Sequence, residues 1–389
     1  MPLPSLAKGL TTAQGLDTLA KRQPIRSTGD CDFLMSENKG SKITFENSSS
    51  GFPTNSSLPI DETVNISDND CFTADSTAAI VLKSLAYFTI LLVSLVGNIV
   101  VTLVVWKNKP WKLHKSLNYF VFNMAMSDLF TPLTIMPVTI VEIISGSVAF
   151  MVERPLLLGN ILCKTCYFLP DVSLLVSVES LLLISLDRFA TAVFPLRSEL
   201  NTSKVLLICI LCAWIIAIAV HAPYYYTFRL FPYGNEYYCE YYWGAAFDHD
   251  ETSNRYDTAT FLAIIAVPIC ILIIDYGAIA ITLKRRHGQR KEMSVSSRFR
   301  GYQKNMQIIV LSVAIVTAFI FCMVPYLVFM FCTILLWHWN NPPTCALQTV
   351  IPFVAVFMVH SWSAVNPCIC FIFSKNYRRV LKKLLSQRR

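Results

Sequence analysis

The chain has 389 residues, 54% of them hydrophobic and only 15% charged, with a formal net charge of +8. Average soluble domains carry about 25% charged residues, so an ordinary water-soluble globule is excluded. The basic excess sits in connections and the tail, where it serves membrane orientation, and no nucleic-acid partner is expected. Residues 1–78 are rich in Ser, Thr, Asn, Asp and Gly and hold ten acidic against six basic residues. They read as a disordered extracellular segment. Asn47, Asn55 and Asn65 each open an Asn-x-Ser sequon and are expected to be glycosylated. The start, MPLPSLAKGLTTAQGL, lacks the apolar region of a signal peptide, so the first span is expected to act as the anchor.

A bilayer core of about 30 Å needs roughly 20 apolar residues in a helix. Seven such stretches follow, near Ala79–Trp106, Asn118–Ile144, Gly159–Ala192, Val205–Tyr225, Tyr256–Leu283, Met306–Leu336 and Thr349–Phe373. The fold expected is an all-α membrane protein: a seven-transmembrane helix bundle over residues 79–373, with a short amphipathic eighth helix and tail over 374–389. The first and fifth connections and the tail are rich in Lys and Arg, and short loops of that kind stay cytoplasmic. A multi-pass plasma-membrane protein with its N-terminus outside and its C-terminus inside is therefore expected. Val380, Leu381, Leu384 and Leu385 share one face of the tail, among Lys and Arg, as suits a helix lying on anionic membrane lipids.

A charge at a helix centre in the membrane costs about 2.5–3.5 kcal/mol, so each one needs a reason. Asp128, Asp171, Glu179, Asp275 and the adjacent Asp187 and Arg188 all fall within or at the ends of spans. Facing a shared interior would let them find partners. One reading makes the carboxylates Asp128, Asp171, Glu179 and Asp275 an ion path of a transporter or channel. Pro223, Pro268, Pro325 and Pro367 each remove a helical hydrogen bond and predict kinks.

Taken span by span, the sequence resembles the rhodopsin-like (class A) G-protein-coupled receptors, most of all the peptide-receptor group. The resemblance rests on Gly97-Asn98, Ser127-Asp128-Leu129, Asp187-Arg188-Phe189 with Pro195-Leu196, Trp214 and Pro223, Pro268 and Tyr276, Phe319-x-x-Cys322-x-x-Pro325-Tyr326, and Asn366-Pro367, in order on seven spans. It implies a receptor, not an enzyme, with heterotrimeric G proteins as partners. Asp187 would hold Arg188 in the off state. Outward movement of the sixth helix, hinged at Pro325, would free it, with Phe189, Tyr276, Phe319, Asn366 and Pro367 in the same switch. Asn98, Asp128, Ser177, Ser363 and Asn366 match positions that gather around a sodium ion in many members, although Trp362 stands where the family often has Asn. No other cofactor is expected. The resemblance also implies a disulfide between Cys163 and Cys239. Cys71 and Cys345 are candidates for a second, with Cys31 and Cys332 as rivals.

The chain departs from the family pattern in three places. Met323 replaces a sixth-span Trp that senses ligand, Cys370 replaces a seventh-span Tyr that would partner Tyr276, and the stretch before Cys163 lacks the usual Trp. Retinal is disfavoured because the Schiff-base position holds His360 rather than Lys. An aminergic anchor would align with Pro170, next to Asp171. Residues 224–254 are long, aromatic and acidic, and alternation around Cys239 predicts a β-hairpin over a pocket mouth. Acidic loops steer basic ligands, so the ligand expected is an extracellular peptide, with a small molecule such as an amine or lipid as the alternative. Glu142, Asp171, Met323, Tyr326 and His360 are the candidate contacts.

Overall fold

Small polar side chains turn inward beside an apolar core, and many large apolar ones also face outward. Ser94, Asn98, Asp128, Ser177 and Asn366 are almost fully buried, while Leu82, Leu103, Ile274 and Phe321 stand exposed. Lipid tails leave backbone groups without partners, so helices that satisfy their own hydrogen bonds are the stable answer. The computed structural model describes residues 75–107, 115–146, 151–152, 157–193, 202–233, 236–289 and 296–386. Asn47, Asn55, Asn65, Cys31 and Cys71 lie outside them.

Helix α1 is Thr77–Lys107. The second span comes in three pieces, α2 (Lys115–Ser127), α3 (Phe130–Leu133) and α4 (Ile135–Ser145). Strand β1 (Met151–Val152) precedes α5 (Leu157–Val193), which is followed by α6 (Ser203–His221) and the single turn α7 (Tyr224–Thr227). Strands β2 (Phe228–Tyr233) and β3 (Glu236–Tyr241) come next. Helix α8 (His249–Phe261) passes through a π-turn, Leu262–Ala266, into α9 (Val267–Gln289). Helix α10 (Ser296–Phe331) ends in a second π-turn, Cys332–Leu336, and α11 (Cys345–Phe373) and α12 (Lys375–Ser386) complete the described chain. Among the described residues seven helical spans are long and apolar enough to cross a membrane, in the same order and regions as those read from the sequence.

The 37-residue α5 is the central rod, packed against α2, α6 and α9, and α10, α11 and α1 close the other side. The second span is less regular than its composition suggested. Pro132 and Pro137 lack the N–H that a continuous helix would use. The helix breaks at Asp128–Leu129 and again at Thr134, whose hydroxyl turns back to donate to the Phe130 carbonyl at 2.7 Å. Pro325 and Pro367 sit inside unbroken helices, Pro223 ends α6, and Pro268 follows the first π-turn.

Gly97 and Pro367 set how closely α1 and α11 approach. A Cβ on Gly97 would lie 2.7 Å from Cγ and 2.9 Å from Cβ of Pro367. The rigid ring cannot swing aside, so Gly97→Ala is expected to cost about 1–3 kcal/mol, the usual range for overpacking. A thermal melt in detergent checks this, and an unchanged melting temperature would show that the two helices separate freely.

At the other extreme of the chain, α12 is fastened rather than loosely attached. The buried Tyr377 ring packs edge-on against Phe371, and its hydroxyl donates to Asn118 Oδ1 at 3.4 Å. Arg378 donates to the Phe371 and Ile372 carbonyls at 3.2 and 2.5 Å, closing the open C-terminal end of α11. Val380 and Leu381 are half-buried against the core, as the amphipathic pattern required.

Candidate functional site

Chemistry-bearing residues fall into three levels along α5. Cys163, Asp171, Ser177 and the pair Asp187–Arg188 all belong to this one helix. At 1.5 Å per residue, Asp171 and Arg188 are about 25 Å apart along its axis.

The first level is the hairpin end. Strands β2 and β3 pair antiparallel, with Leu230 opposite Cys239 and Arg229 opposite Glu240, and β1 adds a third strand on the far side of β3. The expected hairpin is therefore present, enlarged by a strand that two residues of sequence could not announce. Cys239 is disulfide-bonded to Cys163, with Cα atoms 5.6 Å apart, which pins β3 to the start of α5. Cys345 is also disulfide-bonded, whereas Cys332 is a free thiol. Rings pack tightly here: Tyr167 stacks on Phe228 at 4.4 Å, and the Trp243 indole donates to the Tyr241 hydroxyl at 2.8 Å. Burial pushes the Glu240 carboxyl above its ordinary range, partly opposed by the Tyr238 hydroxyl that hydrogen-bonds to it. Burial likewise raises Tyr238 to about 12, with Glu240 adding to the shift.

The acids of this region are partly structural. Asp248 caps α8 by accepting from the Glu251 amide at 2.8 Å, and Glu251 pairs with Arg255 at 2.5 Å. Arg229 lies over the Tyr226 ring at 4.4 Å and against Gly244, whose φ of +64° would admit few other residues. Both arginines are thus engaged locally.

A cavity with about 540 Å³ of space between atoms, part of it open to solvent, lies among the helices of the bundle. Asp171, Tyr326 and His360, three of the five candidate contacts, line it together with Asp128, Trp362 and Ser363. Met323 is fully buried outside the lining, and half-buried Glu142 lies toward Tyr87 and Tyr167 instead. Asp171 accepts a 2.6 Å hydrogen bond from Tyr224, the residue that leads into β2. His360 Nδ1 lies 3.3 Å from the Tyr87 hydroxyl. Tyr224→Phe is expected to remove a charge-assisted hydrogen bond worth about 1.5–3 kcal/mol and to loosen the join between α5 and the hairpin. A lowered melting temperature without loss of the disulfide is the expected reading, and an unchanged one would show the bond to be idle.

The second level surrounds Asp128. Ser177 donates to it at 2.8 Å and Asn366 at 3.0 Å. Asn98 and Ser363 form a neighbouring group: Asn98 donates to the Ser363 carbonyl at 2.8 Å, and Ser94 donates to the Ser363 hydroxyl at 3.0 Å. The five residues matched to a sodium site are therefore brought close as two hydrogen-bonded sets, with Ser94 as a member the sequence did not suggest. Asn98 Oδ1 and Asn366 Oδ1 are buried without partners. Among the described residues no three His, Cys, Asp or Glu side chains gather as metal ligands.

The third level is the opposite end. Asp187 and Arg188 form an ion pair, with side chains only 13% and 11% exposed. Ser116 on α2 closes the group, donating to Asp187 at 2.7 Å and accepting from Arg188 at 3.1 Å. Nothing in the sequence singled out this serine, because its role depends on two helices meeting. Phe189 is half-buried, and the Tyr276 hydroxyl is buried beside Ser312 on α10. Asp275 accepts from Ser185 at 2.8 Å, tying α9 to α5. Phe319 is fully buried within α10.

Residues 97–369 match the profile of the family described as 7 transmembrane receptor (rhodopsin family). Neuropeptide FF receptor 2 of Rattus norvegicus is 27% identical over 306 residues, spanning 75% of this chain and 70% of the relative. Neuropeptide Y receptor type 1 of Xenopus laevis is 25% identical over 330 residues, spanning 82% and 86%. Neuropeptide FF receptor 1 of Homo sapiens is 26% identical over 305 residues, spanning 76% and 67%. With seven apolar spans, the linking disulfide and a family match over more than half its length, the chain belongs to the rhodopsin family of 7 transmembrane receptors.

Proposed function

We propose that this chain is a plasma-membrane receptor that binds an extracellular peptide at its hairpin end and activates heterotrimeric G proteins at the other. In this reading the N-terminus is outside, the C-terminus is inside, and α12 rests on the inner leaflet. The observation that carries it is the layout of α5: one rod joins a disulfide-pinned cavity wall to the buried Asp187–Arg188–Ser116 lock. Its relatives are neuropeptide receptors by name, and the aromatic rim offers Tyr and Trp anchors of the kind that dominate binding energy. An acidic N-terminal segment favours a basic peptide by electrostatic steering.

Sodium as an allosteric ion belongs to the same reading. The Asp128 carboxylate, with the unpartnered Asn98 Oδ1 and Asn366 Oδ1, offers the hard oxygens such a cation takes. For the ion-path alternative, Asp128, Asp171 and Asp275 each have hydrogen-bond partners of their own, whereas Glu179 Oε2 is buried without one.

The test is nucleotide exchange on purified G proteins by receptor in lipid nanodiscs, challenged with a library of basic peptides. Peptide-dependent exchange that slows as salt rises supports the reading. Exchange driven only by small amines or lipids would move the ligand class, and ion flux without exchange would replace the function.

A further inference from the structure

Trp362 combines four features that no assigned role uses. It lies on α11, it lines the cavity, it is 2% exposed, and its indole N–H has no acceptor among the described residues. Leaving a buried donor unpaired is costly, so buried N–H groups are nearly always satisfied. Several polar neighbours that share the cavity have hydrogen bonds of their own, none of them to the indole. Asp128 takes its bonds from Ser177 and Asn366, Ser363 is bonded to Ser94 and the His360 carbonyl, and His360 faces Tyr87. The other side of the indole meets Phe319 on α10 edge to face, with ring centroids 5.1 Å apart and planes at 79°. Trp362 therefore lines the cavity with an unpartnered, buried indole N–H in its ring system and meets the sixth span through its contact with Phe319.

We propose that Trp362 is a ligand-binding residue that recognises an uncharged oxygen acceptor, a carbonyl or hydroxyl, on the buried end of the cavity's occupant and passes its arrival to Phe319. The class follows from the lining. Asp128 and Asp171 share the cavity, and among the described residues no Lys or Arg lines it, so an anionic acceptor would be repelled as well as stripped of water. A neutral oxygen satisfies the indole without that penalty. Movement of the indole must displace Phe319, because the two rings are in contact and a close-packed interior has no slack to absorb it. This rests on reading the cavity as the ligand site, but its test does not require a G protein.

The receptor carries seven Trp, and 15N labelling of them in nanodiscs resolves the indole N–H cross-peaks. Trp362→Phe identifies its peak by loss, and Trp362→Tyr repeats the assignment should the first variant fold poorly. N-methylacetamide is the probe for a neutral carbonyl and acetate the matched anion. The expected result is a saturable shift of the Trp362 peak with N-methylacetamide, several-fold larger than with acetate. A 4-fluorophenylalanine at position 319 should report a parallel 19F shift that disappears in W362F. No shift, or equal shifts with both probes, overturns the recognition. A moving indole peak with a static 319 signal overturns the relay. A positive result alongside absent nucleotide exchange would keep this site and reject the receptor reading instead.

Discussion

Arg188→Ala is expected to abolish peptide-driven nucleotide exchange while leaving the receptor folded and at the cell surface. Arg188 is the one cation of the buried lock, held by Asp187 and Ser116. If it must leave that lock to engage the G protein, its removal deletes the contact itself. The opposite change should do the opposite. Asp187→Ala removes a charge-assisted hydrogen bond worth about 1.5–3 kcal/mol. That is roughly a ten- to hundredfold shift in the balance of locked and unlocked forms. Ligand-free exchange should rise accordingly. Uptake of a non-hydrolysable GTP analogue by reconstituted receptor, with surface expression measured alongside, reads both variants. Unchanged signalling by R188A would sink the assigned role.

Cys163→Ser or Cys239→Ser should produce the largest loss of stability. The bridge closes a loop with a sequence separation of 76 residues. On the chain-entropy model a loop of that length contributes about 4–5 kcal/mol. Reducing that constraint frees β3 from α5 and with it the strand pairs that hold β1 and β2. Because each single change already breaks the same bond, the double variant should melt at the temperature of either single one. Additive losses would mean that the cysteines contribute through packing. Peptide binding should fall with stability in all three variants.

The spans were legible because length and hydropathy are local properties, and each apolar stretch could be read without knowing its neighbours. The hairpin was legible for the same reason, through alternation around Cys239. Partnerships between distant residues were not. Ser116 completes the lock across 71 positions, Tyr224 meets Asp171 across 53, and Trp214 reaches Asn123 across 91. Trp362 shows the limit most clearly. Its sequence position marked it as an intruder beside Asp128, whereas its place between cavity and sixth span emerges only when α10 and α11 are packed. The three-piece second span was missed because its apolar composition outweighed Pro132 and Pro137.

The seating of Gly97 on Pro367 has a bearing on which parts of the bundle can turn. Helices α1 and α11 are joined by that close fit and by directional bonds from Asn98 and Ser94 to Ser363. Against the other face of α11, the Phe319–Trp362 contact with α10 is made by rings, and apolar contact has no preferred direction. On the function proposed above, α1 and α11 are expected to stay joined as one body while the sixth span turns against them.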